Sequence, residues 1–162
     1  LPDEKISKIK IIIDKKIKCF NKLFVGCKCI KKINFIRFYR KDITNMSEMF
    51  SGCSSLENIN FFSFNTDNVI DMNAMFLGCS SLKELNLSNF NTNNITNMMM
   101  MFYRCFSLNV LNISNFNINQ AKYIINMFFH CSPSKIICSY IFKMLIRDIY
   151  PNLYSVCYLA NN

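Results

Sequence analysis

One eight-residue string, met again and again at a fixed interval, limits this chain's fold more than its length or composition does. Met49-Phe50-Ser51-Gly52-Cys53-Ser54-Ser55-Leu56 returns as Met75-Phe76-Leu77-Gly78-Cys79-Ser80-Ser81-Leu82, then as Met101-Phe102-Tyr103-Arg104-Cys105-Phe106-Ser107-Leu108, each 26 residues on. One more step reaches Met127-Phe128-Phe129-His130-Cys131, and one step back reaches Leu23-Phe24-Val25-Gly26-Cys27. Five copies held in register without an insertion mean that the fold is assembled by stacking one supersecondary unit on the next.

Two spacings coexist within a unit. Leu85 and Leu87 alternate with Asn86, as in a strand, whereas Ile95, Met98, Phe102 and Cys105 recur at three and four residues, as on one face of a helix. Asn91-Thr92-Asn93-Asn94 lies between them and offers turn and helix N-cap chemistry. Each unit therefore reads as strand, turn, short helix. About eight buried apolar side chains yield on the order of 12–24 kcal/mol, while ordering the backbone costs roughly 1–2 kcal/mol per residue. A lone unit does not fold, but a stack gives every apolar face a neighbour. The expected class is α/β: a right-handed, leucine-rich-repeat-like solenoid with parallel strands on one face and short helices on the other.

Four repeats fill 30–133. Residues 1–29 read as a basic N-terminal cap with a partial repeat, in which Ile17, Phe20, Phe24 and Cys27 keep the helical register and Ile9 and Ile12 the strand register. Residues 134–162 read as a helical C-terminal cap, with Ile136, Ile137, Tyr140, Ile141, Met144, Leu145 and Ile149 on one face, Pro133 near its start and Pro151 after its end. The three parts form one domain.

Leu-x-x-Leu-x-Leu is the strand signature of leucine-rich repeats. The fuller pattern, from Gly78-Cys79-Ser80-Ser81-Leu82 through Phe90 to Met101-Phe102, resembles the BspA-like repeat of bacterial and protozoan surface proteins. Phe38, Phe64, Phe90 and Phe116 stand where ordinary leucine-rich repeats carry an Asn ladder. The resemblance implies a setting at the cell surface or outside the cell, in adhesion or host interaction.

Charge and cysteine content invite other readings, which position weakens. The net charge is +9, yet 13 of the 19 basic side chains fall in residues 1–41, and the remaining body is nearly neutral. Only four are Arg, the side chain suited to bidentate phosphate or base contacts, which argues against nucleic acid as partner. No apolar run is long enough for a transmembrane segment. Cys27, Cys53, Cys79, Cys105 and Cys131 occupy one repeat position, so they should stack as a column of buried thiols whose parallel side chains disfavour disulfides. Cys19, Cys27 and Cys29 lack zinc-site spacing, and one isolated disulfide among Cys29, Cys138 and Cys157 stays open. His130, the sole imidazole, fills the slot of Gly52, Gly78 and Arg104, a slot that should accept any residue. The N-glycosylation patterns at Asn45, Asn86, Asn94 and Asn112 are expected by chance in a chain this rich in Asn.

No catalytic, cofactor-binding or metal-binding residue emerges, and no small-molecule substrate is implied. The outward strand positions form columns: Lys32, Asn58, Glu84 and Val110; Asn34, Asn60, Asn86 and Asn112; Ile36, Phe62, Ser88 and Ser114. With Arg37 they make the candidate face for a protein partner, anchored by Ile36 and Phe62. The plainer reading is a solvated sheet whose Asn column hydrogen-bonds to itself. A non-enzymatic protein-binding module follows. The alternative is a cytoplasmic scaffold whose basic N-terminal segment contacts an acidic partner, an anionic membrane or nucleic acid.

Overall fold

The computed structural model describes residues 18–36, 38 and 40–160; Ile9, Ile12 and the rest of the N-terminal cap up to Ile17, and Arg37 of the candidate face, lie outside them. The alternating segments form short strands: β1 (Lys32–Asn34), β2 (Asn58–Asn60), β3 (Glu84–Asn86) and β4 (Val110–Ile113). Pairing is parallel and advances by one repeat, Lys32 against Asn58 and Glu84 against Val110. Ile59, Leu85 and Leu111 point into the core, while Asn58, Asn60, Glu84 and Asn86 point out. The architecture is mixed α/β with few helices, and its strands fall into two parallel sheets, β1-β2 and β3-β4-β5-β6.

The opposite side of each unit departs from expectation. No α-helix forms over residues 45–53 or their equivalents. Met49, Ser51 and Cys53 donate three residues back, to Met46, Glu48 and Phe50 at 3.0–3.3 Å, whereas the alternate N–H groups leave the unit. Met46 donates to Asp71, Glu48 to Asn73, Phe50 to Met75 and Gly52 to Leu77, at 2.7–2.9 Å. A helix would send every N–H four residues back. Spacing of three and four identifies the inward side chains, and a chain of turns meets that demand while freeing half its donors for the neighbouring unit. The same change redirects the expected N-cap residues. Thr92 Oγ1 donates to the Asn117 carbonyl at 2.9 Å and accepts from the Asn117 N–H at 2.7 Å, tying unit to unit.

Packing between units relies on repeated side chains meeting their own copies. Phe24, Phe50, Phe76, Phe102 and Phe128 stack face to face at 5.5–6.0 Å. Phe38, Phe64 and Phe90 form a second stack at 4.2 and 5.8 Å. Met46, Met72 and Met98 are fully buried between the two sides, where flexible thioethers fill irregular space.

The C-terminal segment is helical only in part. Lys135–Cys138 forms β5, pairing Ile136 with Leu111, and Cys157–Leu159 forms β6 beside it. Ile136 and Ile137 thus belong to the sheet. Helix α1 (Tyr140–Ile149) begins after them, with Ser139 Oγ accepting from the Phe142 N–H at 3.3 Å, and Pro151 opens the short helix α2 (Pro151–Tyr154). Starting later changes the buried face: Phe142 and Ile146 are buried, while Tyr140, Ile141 and Ile149 are exposed. The Tyr150 hydroxyl fastens this cap to the last unit by donating to the Ile124 carbonyl at 3.0 Å and accepting from the Met127 N–H at 2.9 Å.

Candidate functional site: the strand face

Side-chain alternation along β1–β4 places the outward columns on one surface. Lys32, Asn34, Asn58, Asn60, Glu84 and Asn86 are exposed, and Ser88, Val110, Asn112 and Ser114 are half-buried. Ile36 is 81% exposed and Phe62 90%, the two highest values among the large apolar side chains on the described surface.

The Asn column does not bond to itself. Asn60 Oδ1 accepts from the Phe62 N–H at 2.9 Å, Asn86 Oδ1 from the Ser88 N–H at 3.0 Å and Asn112 Oδ1 from the Ser114 N–H at 3.1 Å. Each carboxamide closes a local turn at the end of its strand, because a short side chain reaches the N–H two residues on more readily than a neighbour one strand away. Only the oxygen can accept, so these turns leave the NH2 groups of Asn60, Asn86 and Asn112 unused as donors.

The sheet is interrupted between β2 and β3. A groove of about 530 Å³ lies there, lined by Asn34, Asn58, Asn60, Phe62, Asn86, Ser88 and Asn89 with parts of Ile59 and Phe61. Asn89 Nδ2 donates across the break to the Phe61 carbonyl at 2.7 Å. A shallower depression of about 280 Å³ adjoins it, lined by Lys32, Glu57, Asn58, Lys83 and Glu84. The groove gathers six of the candidate residues; Ile36, Val110, Asn112 and Ser114 stand outside it. Sequence reasoning passed over Asn89, Glu57 and Lys83. Asn89 was visible in principle as a polar residue set just before the Phe spine, at the position of Ser63 and Asn115.

Four of the five cysteines in the expected column, Cys53, Cys79, Cys105 and Cys131, are buried, while Cys27 is only half-buried. Cys53, Cys79 and Cys105 donate Sγ to the Phe24, Phe50 and Phe76 carbonyls at 3.0–3.2 Å. Burial pushes Cys53 up to about 11 and Cys131 up to about 12, with Cys79 and Cys105 raised as well. Thiols so disposed are poor nucleophiles. Cys138 and Cys157 meet on β5 and β6 as free thiols, whereas Cys29 is exposed. Cys157 Sγ donates to the Leu153 carbonyl at 3.1 Å, and the nearness of the two thiols, together with burial, raises Cys138. Among the described residues no group of three His, Cys, Asp or Glu side chains is placed to hold a metal ion, and no helix is long and apolar enough to cross a membrane.

The slot occupied by His130 is more demanding than its sequence variety indicates. Gly26, Gly52 and Gly78 have φ of 69–73°, and Arg104 and His130 keep the same left-handed backbone at 58° and 56°. Side chains there cost roughly 1–2 kcal/mol each.

A family model described as Mycoplasma protein of unknown function, DUF285, matches residues 18–139. No curated protein and no solved structure matches the chain.

Proposed function

The chain belongs to the DUF285 family, and from that premise we propose that it is a non-enzymatic protein-binding module: a right-handed leucine-rich-repeat-like solenoid of the BspA-like kind, working at the cell surface in adhesion or host interaction. The observation that carries the reading is Phe62, 90% exposed at the rim of the β2–β3 groove. Phe62 sits on the turn that closes β2, and an aromatic side chain with only two rotatable bonds loses little entropy on binding while supplying apolar area at the centre of a contact. Beside it the unused NH2 groups of Asn60 and Asn86 are donors suited to the carbonyls of an extended peptide backbone. Lys32 and Glu84 bring charges of both signs to the neighbouring depression, a mixture that favours a protein partner over a polyanion.

The test is a titration of the labelled chain onto cultured animal cells and onto immobilised extracellular-matrix proteins. Saturable binding that disappears in the Ile36→Asp/Phe62→Asp double variant supports the strand face. Binding unchanged in that variant, or no binding at all, overturns it.

A cytoplasmic scaffold is the second reading, favoured by the free state of every described cysteine and by Lys18, Lys22, Lys28, Lys31 and Lys32 at one end of the chain. It requires binding to heparin or an anionic vesicle that weakens steeply as salt rises.

A further inference from the structure

The turn side carries a second unusual surface, and the repeat supplies its own control. Where the second and third copies place Ser51, Gly52 and Ser54, then Leu77, Gly78 and Ser80, the fourth places Tyr103, Arg104 and Phe106. The fifth follows with Phe129 and His130, and Ile125 stands where earlier copies have Ser47 and Asn73. Phe106 and Ile125 are each 64% exposed and Phe129 47%. Five of these residues form one patch: Tyr103 and Phe129 stack at 5.3 Å, the His130 ring lies 4.3 Å from Phe129 and 6.3 Å from Phe106, and the Arg104 guanidinium lies 5.4 Å over the Tyr103 ring; Ile125 lies four residues before Phe129 on the same run of turns. Arg104 and His130 hold the left-handed backbone that the first three copies assign to Gly. Every unit has one further non-glycine residue in that region, Lys22, Glu48, Ala74, Met100 and Asn126, but only the last two units place a side chain in the glycine slot as well, and both of those side chains belong to the patch.

Charge identifies what it fits. From Leu85 to Arg147 the chain has no Asp or Glu, while Arg104 lies within the patch and Lys122 stands three residues before Ile125 in the chain. A second copy would bring like charges together. A nucleic acid needs a row of cations for its phosphates, and the patch itself offers only Arg104. The exposed Phe106, Ile125 and Phe129 suit apolar side chains. We propose that the outer surface around Tyr103, Arg104, Phe106, Ile125, Phe129 and His130 docks an acidic, apolar-anchored segment of a partner protein, independently of the strand face.

Selection of a displayed library of random peptides on the full chain tests this, with affinities of enriched peptides measured on three proteins. The Arg104→Gly/His130→Gly variant supplies the residue its backbone prefers, so it should unfold no more readily than the wild type. The expected result is enrichment of peptides combining Asp or Glu with aromatic or branched apolar residues, whose binding falls about tenfold or more in that variant and is unchanged in Phe62→Asp. Enrichment of basic or neutral peptides, affinity equal in the Gly variant, dimerisation through the patch, or no peptide that depends on it overturns the proposal. Dependence on Phe62 alone would leave the strand face supported and this surface refuted.

Discussion

The two long sides of the stack are joined in different ways. On the turn side the backbone ladder runs without a gap, Met46 to Asp71, Met72 to Asn97 and Met98 to Tyr123 at 2.8–2.9 Å, with the five-ring Phe stack behind it. On the strand side the ladder stops between β2 and β3, and a groove opens there. Register is therefore carried by the turns, where backbone bonds and side-chain stacking enforce the same 26-residue step. The strands inherit that register, which leaves their outer face free to vary in chemistry and even to part without loss of the fold.

Substitutions can break this comparison. Phe76→Ala, at the centre of the fully buried stack, is expected to cost about 3–5 kcal/mol, whereas Phe62→Ala on the strand face should stay within about 0.5 kcal/mol. Urea unfolding of both variants reads the difference, and similar losses would mean that the strand side shares the load. The second expectation uses pH. The buried thiols Cys53, Cys79, Cys105 and Cys131 have folded pKa values raised above the ordinary 9.0, to about 11 for Cys53 and about 12 for Cys131. Stability from these neutral thiols is fully present below pH 9 and is lost as pH rises towards those folded values, by up to about 1.4 kcal/mol per thiol per pH unit. Melting temperatures measured from pH 8 to pH 11 should fall, and should fall less in Cys105→Ala. A flat profile would place the column in water. The smallest effect concerns the left-handed slot: Gly52→Ala should cost roughly 1–2 kcal/mol, while Arg104→Gly leaves stability within about 1 kcal/mol of the wild type. Thermal unfolding of the pair decides whether backbone conformation or the side chain governs that position.

What the sequence makes legible is direction, and what it hides is partnership. Leu85, Met98, Phe102 and Cys105 point inward as their spacing requires, because burying apolar groups at each repeat position is the same demand whatever the backbone does between them. The hydrogen bonds of residues 45–53 are a different matter. Spacing of three and four is satisfied equally by a helix and by successive turns, and the decision falls to the neighbouring unit, whose carbonyls compete for the N–H groups. The glycine at 26, 52 and 78 does not separate the two, because a left-handed glycine also ends a helix. The candidate face was legible as alternation along β2 and β3, and Phe62 and Ile36 stand out from it. Its groove was not, because the break between β2 and β3 leaves no mark in the alternation. The C-terminal segment misled for a related reason: Ile136 and Ile137 fit an apolar helical stripe, yet β4 offered them an open edge first.

The direction of the turn-side bonds also sets how the molecule yields to force. They run along the stacking axis and join each unit only to the next, so tension applied along that axis loads one seam at a time. Such an assembly peels; it does not shear. Every released unit of 26 residues pays out on the order of 90 Å of extended chain, and single-molecule pulling should register this as evenly spaced steps. A chain that resists tension by lengthening in equal increments is a tether with a built-in brake.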